Sequence, residues 1–364
     1  NLLGFPVYDH KFNPMRYVQN EEKVSLIGQN LTELQSISEQ LGEKPFRGRQ
    51  LYDWIYRKNI DNHNLMTNLP GDFKTKLSER YKVHPLVLLH HSESKQEPTK
   101  KFLFQTSSGH MIESVLMRVG NRSTICLSTQ VGCAVDCQFC ATAQMGFLKN
   151  LTSGEIVDQF SQIRSLTHEP VSNIVFMGMG EPFLNYKAVI QAADLLHQPD
   201  GINMGFGRIT ISTVGIVPKI RQYTAEAHRY KLAISLNGVS QEQRLEIMPI
   251  SKVYPLSDLL TVAREYAAKS KKRLTIEYVL IEGLNDASED AKTLKGLLQN
   301  IRCKLNLIPY NEIGSSFRRP SDDRINSFLT QLEDASFPVT VRRSKGTDID
   351  AGCGQLAIKE KTIH

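Results

Sequence analysis

The chain has 364 residues, of which 40% are hydrophobic and 23% charged, a balance that is ordinary for a globular protein. No apolar run approaches the roughly 20 residues that a membrane-spanning helix needs, and residues 1–30 lack the apolar core of a secretory signal. We therefore expect a cytoplasmic protein without membrane contact. Its net charge of +6 permits a polyanionic partner such as RNA but does not require one.

The first part of the chain predicts a small helical domain. Residues 1–25 show no clear period and are assigned to an N-terminal extension. Between residues 26 and 84, apolar residues fit one face of each of two helices: Leu31, Leu34, Ile37 and Leu41, then Phe46, Leu51, Trp54 and Ile55. Short helix pairs of this kind either bind a nucleic acid backbone or cap a larger domain, and the pattern does not separate the two.

A second pattern begins near residue 101 and continues to residue 356. Lys101–Thr106 and Met111–Val119 predict a β-hairpin that turns at Ser108 and Gly109. Strand and helix patterns then alternate. The predicted strands are Thr124–Ser128, Asn173–Met177, Arg208–Thr213, Lys231–Leu236, Arg273–Leu280, Lys304–Ile308 and Pro338–Arg342. The predicted helices include residues 153–166, 186–197, 216–226, 256–269, 285–299 and 323–335. Such alternation indicates an α/β barrel or open parallel sheet, with its chemistry at the carboxyl ends of the strands.

Four of the six cysteines lie between residues 126 and 140. Cys133, Cys137 and Cys140 form a C-x-x-x-C-x-x-C motif just after the strand that ends near Ser128. Three thiolates can hold three irons of a 4Fe–4S cluster and leave the fourth open to the amino and carboxylate groups of S-adenosylmethionine (SAM). This is the pattern of a radical SAM enzyme. A structural zinc site with Cys126 as fourth ligand is the alternative, although zinc sites favour cysteine pairs separated by a longer loop.

Polar residues at later strand ends predict a SAM-binding site. Gly180 and Glu181 follow one strand, where glycine lets the backbone approach a ligand and a carboxylate can accept hydrogen bonds from an ammonium group. Further strand ends carry Ser212, then Ser235, Leu236 and Asn237, then Asn311. Groups at successive strand ends can converge on one ligand, although each alone is also typical of a turn or helix cap.

The last motif places Cys353 between Gly352 and Gly354. Two flanking glycines leave the thiol sterically open and predict a mobile loop. A small buried apolar residue is the alternative interpretation.

Several longer segments resemble the radical SAM methyltransferases that modify carbon 2 of an adenine in large-subunit ribosomal RNA and in some transfer RNAs. The similar segments run from Leu41 to Leu356 and include GEKPFRGRQLYDWIY, LSTQVGCAVDCQFCATAQMGF, FMGMGEPFLN and DIDAGCGQLA. A sister family that methylates carbon 8 of the same kind of adenine shares the core motifs. The LGEKPFRGRQLYDWIY segment looks more like the carbon-2 group.

The resemblance implies an α/β fold with a partial (β/α)6 radical SAM barrel and a small N-terminal helical domain that helps to grip RNA. It implies that Cys133, Cys137 and Cys140 hold the cluster, that Cys353 is methylated, and that Cys126 is a second catalytic cysteine. Glu113 matches a proton acceptor. The positions that match SAM contacts are Gly180, Glu181, Ser212, Ser235, Leu236, Asn237 and Asn311.

The resemblance also implies a reaction that uses two SAM molecules per turnover. One methylates Cys353, and the second yields the radical that removes hydrogen from the S-methyl group, so that its carbon adds to the base. Cys126 then removes the ring proton and releases the base by forming a disulfide with Cys353. Two positions depart from the family pattern: Asn237 stands where many members have His, and Gly352 where Ala is common.

The expected partners are large-subunit rRNA, tRNA and an electron-donor protein such as flavodoxin or ferredoxin, with a monomeric enzyme. Basic residues offer candidate phosphate contacts: Lys44, Arg47, Arg49, Arg57, Arg318, Arg319, Arg342, Arg343 and Lys345. A radical SAM enzyme with another substrate and a non-catalytic RNA-binding or zinc protein remain as alternatives. The pair Cys126 and Cys353 separates the first of these from the methyltransferase, since most radical SAM enzymes have no use for such a pair.

Overall fold

The computed structural model describes residues 23–167 and 170–358, so residues 1–22 of the expected extension lie outside the described residues. A small N-terminal domain comes first. Strand β1 (Val24–Ser25) pairs in parallel with β2 (Tyr81–Lys82), and three helices lie between them. These are α1 (Leu31–Gln40), α2 (Phe46–Tyr52), which continues into a π-helical turn at Asp53–Arg57, and α3 (Gly71–Arg80).

Helix α1 forms at the predicted place because the sequence supplies both a cap and an apolar face. The Asn30 side chain accepts a hydrogen bond from the Glu33 amide at 3.0 Å, and the Glu33 carboxylate accepts one from the Asn30 amide at 2.6 Å. Leu34 and Ile37 are buried in the core of the domain. The apolar spacing in the sequence therefore reflects real packing.

The large domain is built on one ten-stranded sheet. Its antiparallel part contains β3 (Val87–Glu93), β4 (Thr99–Gln105), β5 (Met111–Val119) and β6 (Arg122–Leu127). A short hairpin, β7 (Gln130–Gly132) and β8 (Phe147–Asn150), stands apart from the sheet. The parallel part continues from β6 through β9 (Asn173–Phe176), β10 (Ile209–Thr213), β11 (Lys231–Ser235), β12 (Leu274–Leu280), β13 (Cys303–Pro309) and β14 (Val339–Val341).

Within the described residues, the sheet order is β14-β13-β12-β11-β10-β9-β6-β5-β4-β3, so the two outer strands do not meet. The partial barrel is confirmed, with six parallel strands from β6 to β13 and a short seventh, β14. The predicted hairpin corresponds to β4 and β5. Strand β3 was not predicted, because it is an edge strand in which five of the seven residues are exposed and no regular alternation of buried and exposed residues marks it.

Helices cover the outer face of the parallel strands, as the alternating pattern predicts. They are α5 (Ser153–Ser165), α6 (Tyr186–His197), α7 (Val217–Ala225), α9 (Leu256–Lys269), α10 (Ser288–Leu298) and α11 (Asp322–Thr330). Two short helices, α4 (Ala141–Gln144) and α8 (Gln241–Ile247), lie in the loops at the carboxyl ends of the strands. Within the described ranges, no helix has both the length and the apolar character needed to cross a membrane.

The helical domain packs closely against α5 of the large domain. A Cβ atom at Gly28 would lie 2.6 Å from the Cα atom of Gly154, so two glycines let the two backbones touch. The Asn59 side chain donates a hydrogen bond to the carbonyl of Ser161 at 3.0 Å. The small domain is therefore fixed on the barrel.

Candidate active site

One large cavity opens at the carboxyl edge of the parallel strands. Side chains from β6, β10, β11 and β12 form its walls, together with the loops that follow those strands. Five of the six cysteines line it: Cys126, Cys133, Cys137, Cys140 and Cys353. This placement agrees with the prediction that the chemistry lies at the carboxyl ends of the strands.

The cysteine triplet lies in the loop between β7 and β8. Cys137 is buried and Cys133 and Cys140 are half-buried, in a layer of apolar side chains that includes Val135 and Ile247. Burial raises the pKa of Cys133 to about 12, and burial together with the neighbouring Cys140 and Cys133 raises the pKa of Cys137 well above its usual value. The three cysteines line one wall of the cavity, and their apolar surroundings keep Cys133 and Cys137 protonated unless a bound metal holds them as thiolates.

This donor set fits an iron–sulfur cluster held by three cysteines. Across residues 23–167 and 170–358, no three His, Cys, Asp or Glu side chains converge on the position of a single ion. A four-iron cluster instead takes one thiolate at each of three separate corners. Cys126 is electrostatically coupled to Cys353 and not to the triplet, whereas the zinc interpretation would place it with the triplet.

Gly180 and Glu181 form a rigid wall beside the triplet. Gly180 has φ +96°, and a Cβ atom there would lie 2.5 Å from Cβ of Gln130, so only glycine fits. The Glu181 carboxylate is buried and accepts hydrogen bonds from the amides of Phe183 and Val214, each at 2.9 Å. Burial raises its pKa to about 7. The carboxylate is thus held in one position, as a partner for a ligand ammonium group must be.

Cys126 and Cys353 line the same cavity, and the Arg342 guanidinium acts electrostatically on both thiols. Cys353 also lies beside the triplet, since Cys140 is among the residues that raise its pKa. Cys126 is buried on β6, and burial raises its pKa to about 12 although the Arg342 guanidinium opposes the shift. Cys353 is exposed at the cavity mouth, yet enough protein surrounds its thiol to raise its pKa, again against the effect of Arg342. All six cysteines are free thiols.

Comparisons with known proteins agree with this geometry. Residues 24–83 match the model described as the ribosomal RNA large subunit methyltransferase N-terminal domain, and residues 127–294 match the radical SAM superfamily. The chain is 41% identical over 343 residues to the probable dual-specificity RNA methyltransferase RlmN of Symbiobacterium thermophilum, covering 93% of this chain and 92% of that protein. It is also 41% identical to the dual-specificity RNA methyltransferase RlmN of Syntrophobacter fumaroxidans, covering 90% and 96%.

The chain belongs to the RlmN family of RNA methyltransferases. It is accordingly a SAM-dependent enzyme of the radical SAM class. A crystal structure of a radical SAM methyltransferase from Sphaerobacter thermophilus has the same fold, with a TM-score of 0.88 and 40% identity over 92% of this chain and 99% of that one.

Of the remaining SAM positions carried over from the RlmN family, Ser212, Ser235, Asn237 and Asn311 line the cavity. The Asn237 side chain accepts a hydrogen bond from the Val279 amide at 3.0 Å, so in this chain it also joins the ends of two strands. Leu236 is buried and is not among the residues that line the cavity; its carbonyl accepts a hydrogen bond from Arg244.

The loop that carries Cys353 is tied down at several points. The Asn311 side chain donates to the Cys353 carbonyl at 2.8 Å, and the Ala141 amide donates to the Gly354 carbonyl at 2.7 Å. A Cβ atom at Gly352 would lie 2.5 Å from Oε1 of Gln355. Gly352 thus allows a close contact, and hydrogen bonds hold the loop against α4 in this conformation. That the loop moves during the reaction stays a prediction.

Glu113 is not among the residues that line this cavity. It is buried on β5, forms an ion pair with Lys101 at 2.9 Å and accepts a hydrogen bond from the Ala357 amide at 3.1 Å. These contacts tie the β4–β5 hairpin to the segment after Cys353. A catalytic role for Glu113 stays a prediction from family resemblance.

Two charged residues of the cavity were missed by sequence reasoning. Arg342 was predicted to contact phosphate, but it faces the two cysteines, and its guanidinium lies 3.5 Å from the Met177 sulfur. Glu277 is 5% exposed; one carboxylate oxygen accepts a hydrogen bond from Asn306 at 3.0 Å, and the other has no partner among the described residues. A charge inside the apolar strand LTIEYVL was the available signal for Glu277.

Proposed function

We propose that this enzyme methylates carbon 2 of adenine in large-subunit rRNA and in tRNA, with Cys353 as the carrier of the methyl carbon. The observation that carries the proposal is one cavity that holds the cysteine triplet together with Cys126 and Cys353. Carbon 2 lies between two ring nitrogens and is electron-poor, so it cannot attack a methyl donor as a nucleophile. A radical route through a protein thiol avoids that difficulty.

The cysteine triplet and the turn at Gly180 and Glu181 are proposed to bind the cofactors. Cys133, Cys137 and Cys140 would hold the cluster, while Gly180 and Glu181 would receive the amino group of SAM. When bound, the cluster and SAM together supply a carbon-centred radical that abstracts a hydrogen atom. We propose two SAM molecules per turnover, one for the methyl group and one for the radical, and reduction of the cluster by flavodoxin or ferredoxin.

Cys126 and Cys353, the other two cysteines of the cavity, act in the later steps. Cys353 accepts a methyl group on its sulfur and, after losing one hydrogen from that group, joins the carbon to the base. Addition to the base leaves a base-centred radical, which would return one electron to the oxidised cluster and give its ring proton to Cys126. The Cys126 thiolate, once that proton has passed to solvent, attacks the sulfur of Cys353 and forms a transient disulfide. The departing carbon takes up a proton and becomes the methyl group of the adenine, and an external thiol reduces the disulfide before the next turnover. This is covalent catalysis, in which one difficult bond formation is split into easier steps.

The helical domain is proposed to hold the RNA backbone near the cavity. Lys44 and Phe46 are exposed at the start of α2, and the Arg47 guanidinium lies 4.7 Å from the centre of the Phe46 ring. An exposed aromatic ring beside two cations is suited to nucleic acid contact. The same edge of the domain therefore combines charge and a stacking surface.

Mass spectrometry of nucleosides from enzyme-treated RNA tests the proposal. We expect 2-methyladenosine in both rRNA and tRNA fragments after anaerobic reaction with SAM and a reductant. Finding 8-methyladenosine would assign the enzyme to the sister activity, and finding no methylated adenosine would refute the proposed substrate. The Cys303→Ala variant is a matched control, since Cys303 is buried on β13 and is not among the residues that line the cavity.

A further inference from the structure

The amino edge of the parallel sheet, opposite the cavity, carries a group of basic residues that the proposed function does not use. They lie at or just before the starts of neighbouring strands: Arg122 at β6, Arg208 at β10, Arg229 and Lys231 at β11, Lys272 before β12, and Lys304 at β13. Because parallel strands begin at the same edge, these six side chains form one surface, called here the basic edge.

The residues of the basic edge lie close enough to repel one another. The pKa of Lys231 is lowered, first by burial and then by Lys304, Arg122 and Arg208. The pKa of Lys272 is lowered by burial and then by Lys231 and Arg229. Each effect links members of the group, so the charges act as one continuous positive field.

Acidic side chains neutralise only part of this field within the described part of the chain: the buried Glu277 carboxylate interacts with Lys304. None of the six basic residues forms an ion pair there, although ion pairs are common elsewhere on the surface, such as Arg49 with Asp200 at 2.9 Å. The nearby Asp194 carboxylate instead accepts a hydrogen bond from the Tyr230 hydroxyl. The repulsion that remains favours an anionic partner from outside.

The arrangement favours contact with phosphates over contact with bases. The Arg229 guanidinium lies 3.7 Å from the centre of the Phe206 ring, and the Lys272 ammonium lies 4.2 Å from it. The Phe206 ring is half-buried and contacts two cations, so less of it is open to a base than of Phe46, which is 49% exposed and contacts one. Cations with little open stacking surface beside them position a nucleic acid backbone and do not read its sequence.

An acidic electron-donor protein is the other class of partner that a basic surface could attract. Strand β12 has seven residues, which at about 3.3 Å per residue span roughly 23 Å between the two edges of the sheet. The cysteine triplet lies at the far edge, so a protein docked on the basic edge would be badly placed to reduce it. A long folded RNA can reach around the barrel and touch both edges.

We propose that the basic edge binds phosphates of the substrate RNA outside the stem-loop that contains the target adenine. This proposal rests on the proposed function, because it takes RNA as the substrate. It predicts that the enzyme distinguishes a large folded RNA from a short stem-loop through contacts remote from the chemistry.

The test compares RNA binding by three full-length proteins over a series of salt concentrations. The test variant combines Arg122→Gln, Arg208→Gln and Arg229→Gln, three exposed members of the basic edge. The matched control combines Arg221→Gln, Arg264→Gln and Lys292→Gln, which remove the same charge from exposed positions on α7, α9 and α10. A version with lysine at the three test positions keeps the charge and checks that folding is not the cause of any loss.

The long RNA is an rRNA fragment, and the short RNA is the stem-loop alone. For the test variant we expect affinity for the long RNA to fall by about tenfold or more, and the salt slope to fall by about 2 to 3, since each lost phosphate contact contributes about 0.7–0.9. The affinity of the test variant for the short stem-loop should match that of the unmodified protein. The control variant and the lysine variant should bind both RNAs as tightly as the unmodified protein does.

Unchanged affinity of the test variant for the long RNA would overturn the proposal. The proposal would also be overturned if the test variant reacted more slowly than the unmodified enzyme with flavodoxin as the reductant but equally fast with dithionite. That result would identify the basic edge as a docking site for the electron-donor protein. If the unmodified enzyme produced no methylated adenosine, the proposed function would be refuted. The binding comparison would still show separately whether the basic edge binds RNA.

Discussion

At the scale of single residues, the chemistry depends on how charge is arranged around two thiols. Arg342 opposes the effect of burial on both Cys126 and Cys353, whereas Glu277 raises the pKa of Cys353 further. A cationic and an anionic side chain thus act on one nucleophile in opposite directions. Since only a thiolate accepts a methyl group readily, this balance should govern the first step.

Replacement of Arg342 should therefore slow methylation of Cys353. In Arg342→Gln the pKa of Cys353 rises, so the rate near neutral pH should fall about tenfold or more and its pH profile should move to higher pH. Peptide mass spectrometry of Cys353 after a single turnover measures this step directly. Arg343→Gln is the control, because Arg343 is exposed and forms an ion pair with Asp322.

The Glu277→Gln variant should move the profile the other way, to lower pH, because it removes the anionic neighbour of Cys353. If both variants shifted the profile in the same direction, the electrostatic account of the two residues would be wrong. If Arg342→Gln reduced the yield of folded protein but did not shift the pH profile of Cys353 methylation, Arg342 would be a structural residue only.

At the scale of elements, the sequence was informative wherever a signal was local. The cysteine triplet, the glycine-rich turn before Glu181 and the apolar runs of the parallel strands each lie within a few neighbouring residues, so their roles were predicted. Helix α8 was missed because its sequence, QEQRLEI, is largely polar. The position of Arg342 in the cavity was not predicted, because it follows β14 and lies six strands away from Cys126 in the order of the sheet. Only the curvature of the sheet into a partial barrel brings the two residues together.

The turn at Gly180 gives a test at this scale. A side chain at Gly180 meets Gln130, so Gly180→Ala should weaken SAM binding by about tenfold or more through displacement of Glu181. Gly283→Ala is the matched control: Gly283 also has a positive φ, +72°, but a Cβ atom there meets nothing within 4 Å.

Isothermal calorimetry with SAM and thermal melting separate the two effects. Both variants should lose roughly 1–2 kcal/mol of stability from backbone strain, and Gly180→Ala should lose more, because its Cβ atom overlaps Gln130. Only Gly180→Ala should lose SAM affinity, and equal affinity in the two variants would show that Glu181 does not depend on this turn.

At the scale of the whole molecule, a histidine joins the segment after the helical domain to the barrel. His84 contacts the fully buried carboxylate of Asp158 on α5, which also accepts a hydrogen bond from the Leu86 amide at 3.0 Å. Burial lowers the pKa of His84, but Asp158 and Asp61 more than offset it, so the net shift is upward.

A histidine whose folded pKa is raised stabilises the protein fully below its unfolded value of about 6.5, and that contribution is lost as the pH rises through the folded pKa. We therefore expect the urea midpoint to fall as the pH rises from about 6.5 through the raised pKa of His84 in the folded protein. In His84→Gln this part of the pH dependence should disappear. His90→Gln is the control, since His90 is exposed and forms no ion pair within the described residues.

The two edges of the parallel sheet are proposed to have different roles, one in catalysis and one in RNA binding. The carboxyl edge holds the five cysteines, and the basic edge offers six cations to an RNA backbone. The alternation of strands and helices, together with the cysteine motif, predicted the first edge from the sequence. The second could not be predicted, because its residues are scattered through the chain and meet only when the parallel strands begin side by side.

The central claim is that the methyl carbon passes through Cys353 and is released by Cys126. Its most direct test is the Cys126→Ala variant, incubated anaerobically with RNA, SAM and reductant, and then examined by denaturing electrophoresis and peptide mass spectrometry. The account predicts RNA linked covalently to the peptide that contains Cys353, through a carbon derived from the methyl group. Free methylated RNA at the normal rate, or an adduct on any other residue, would contradict it.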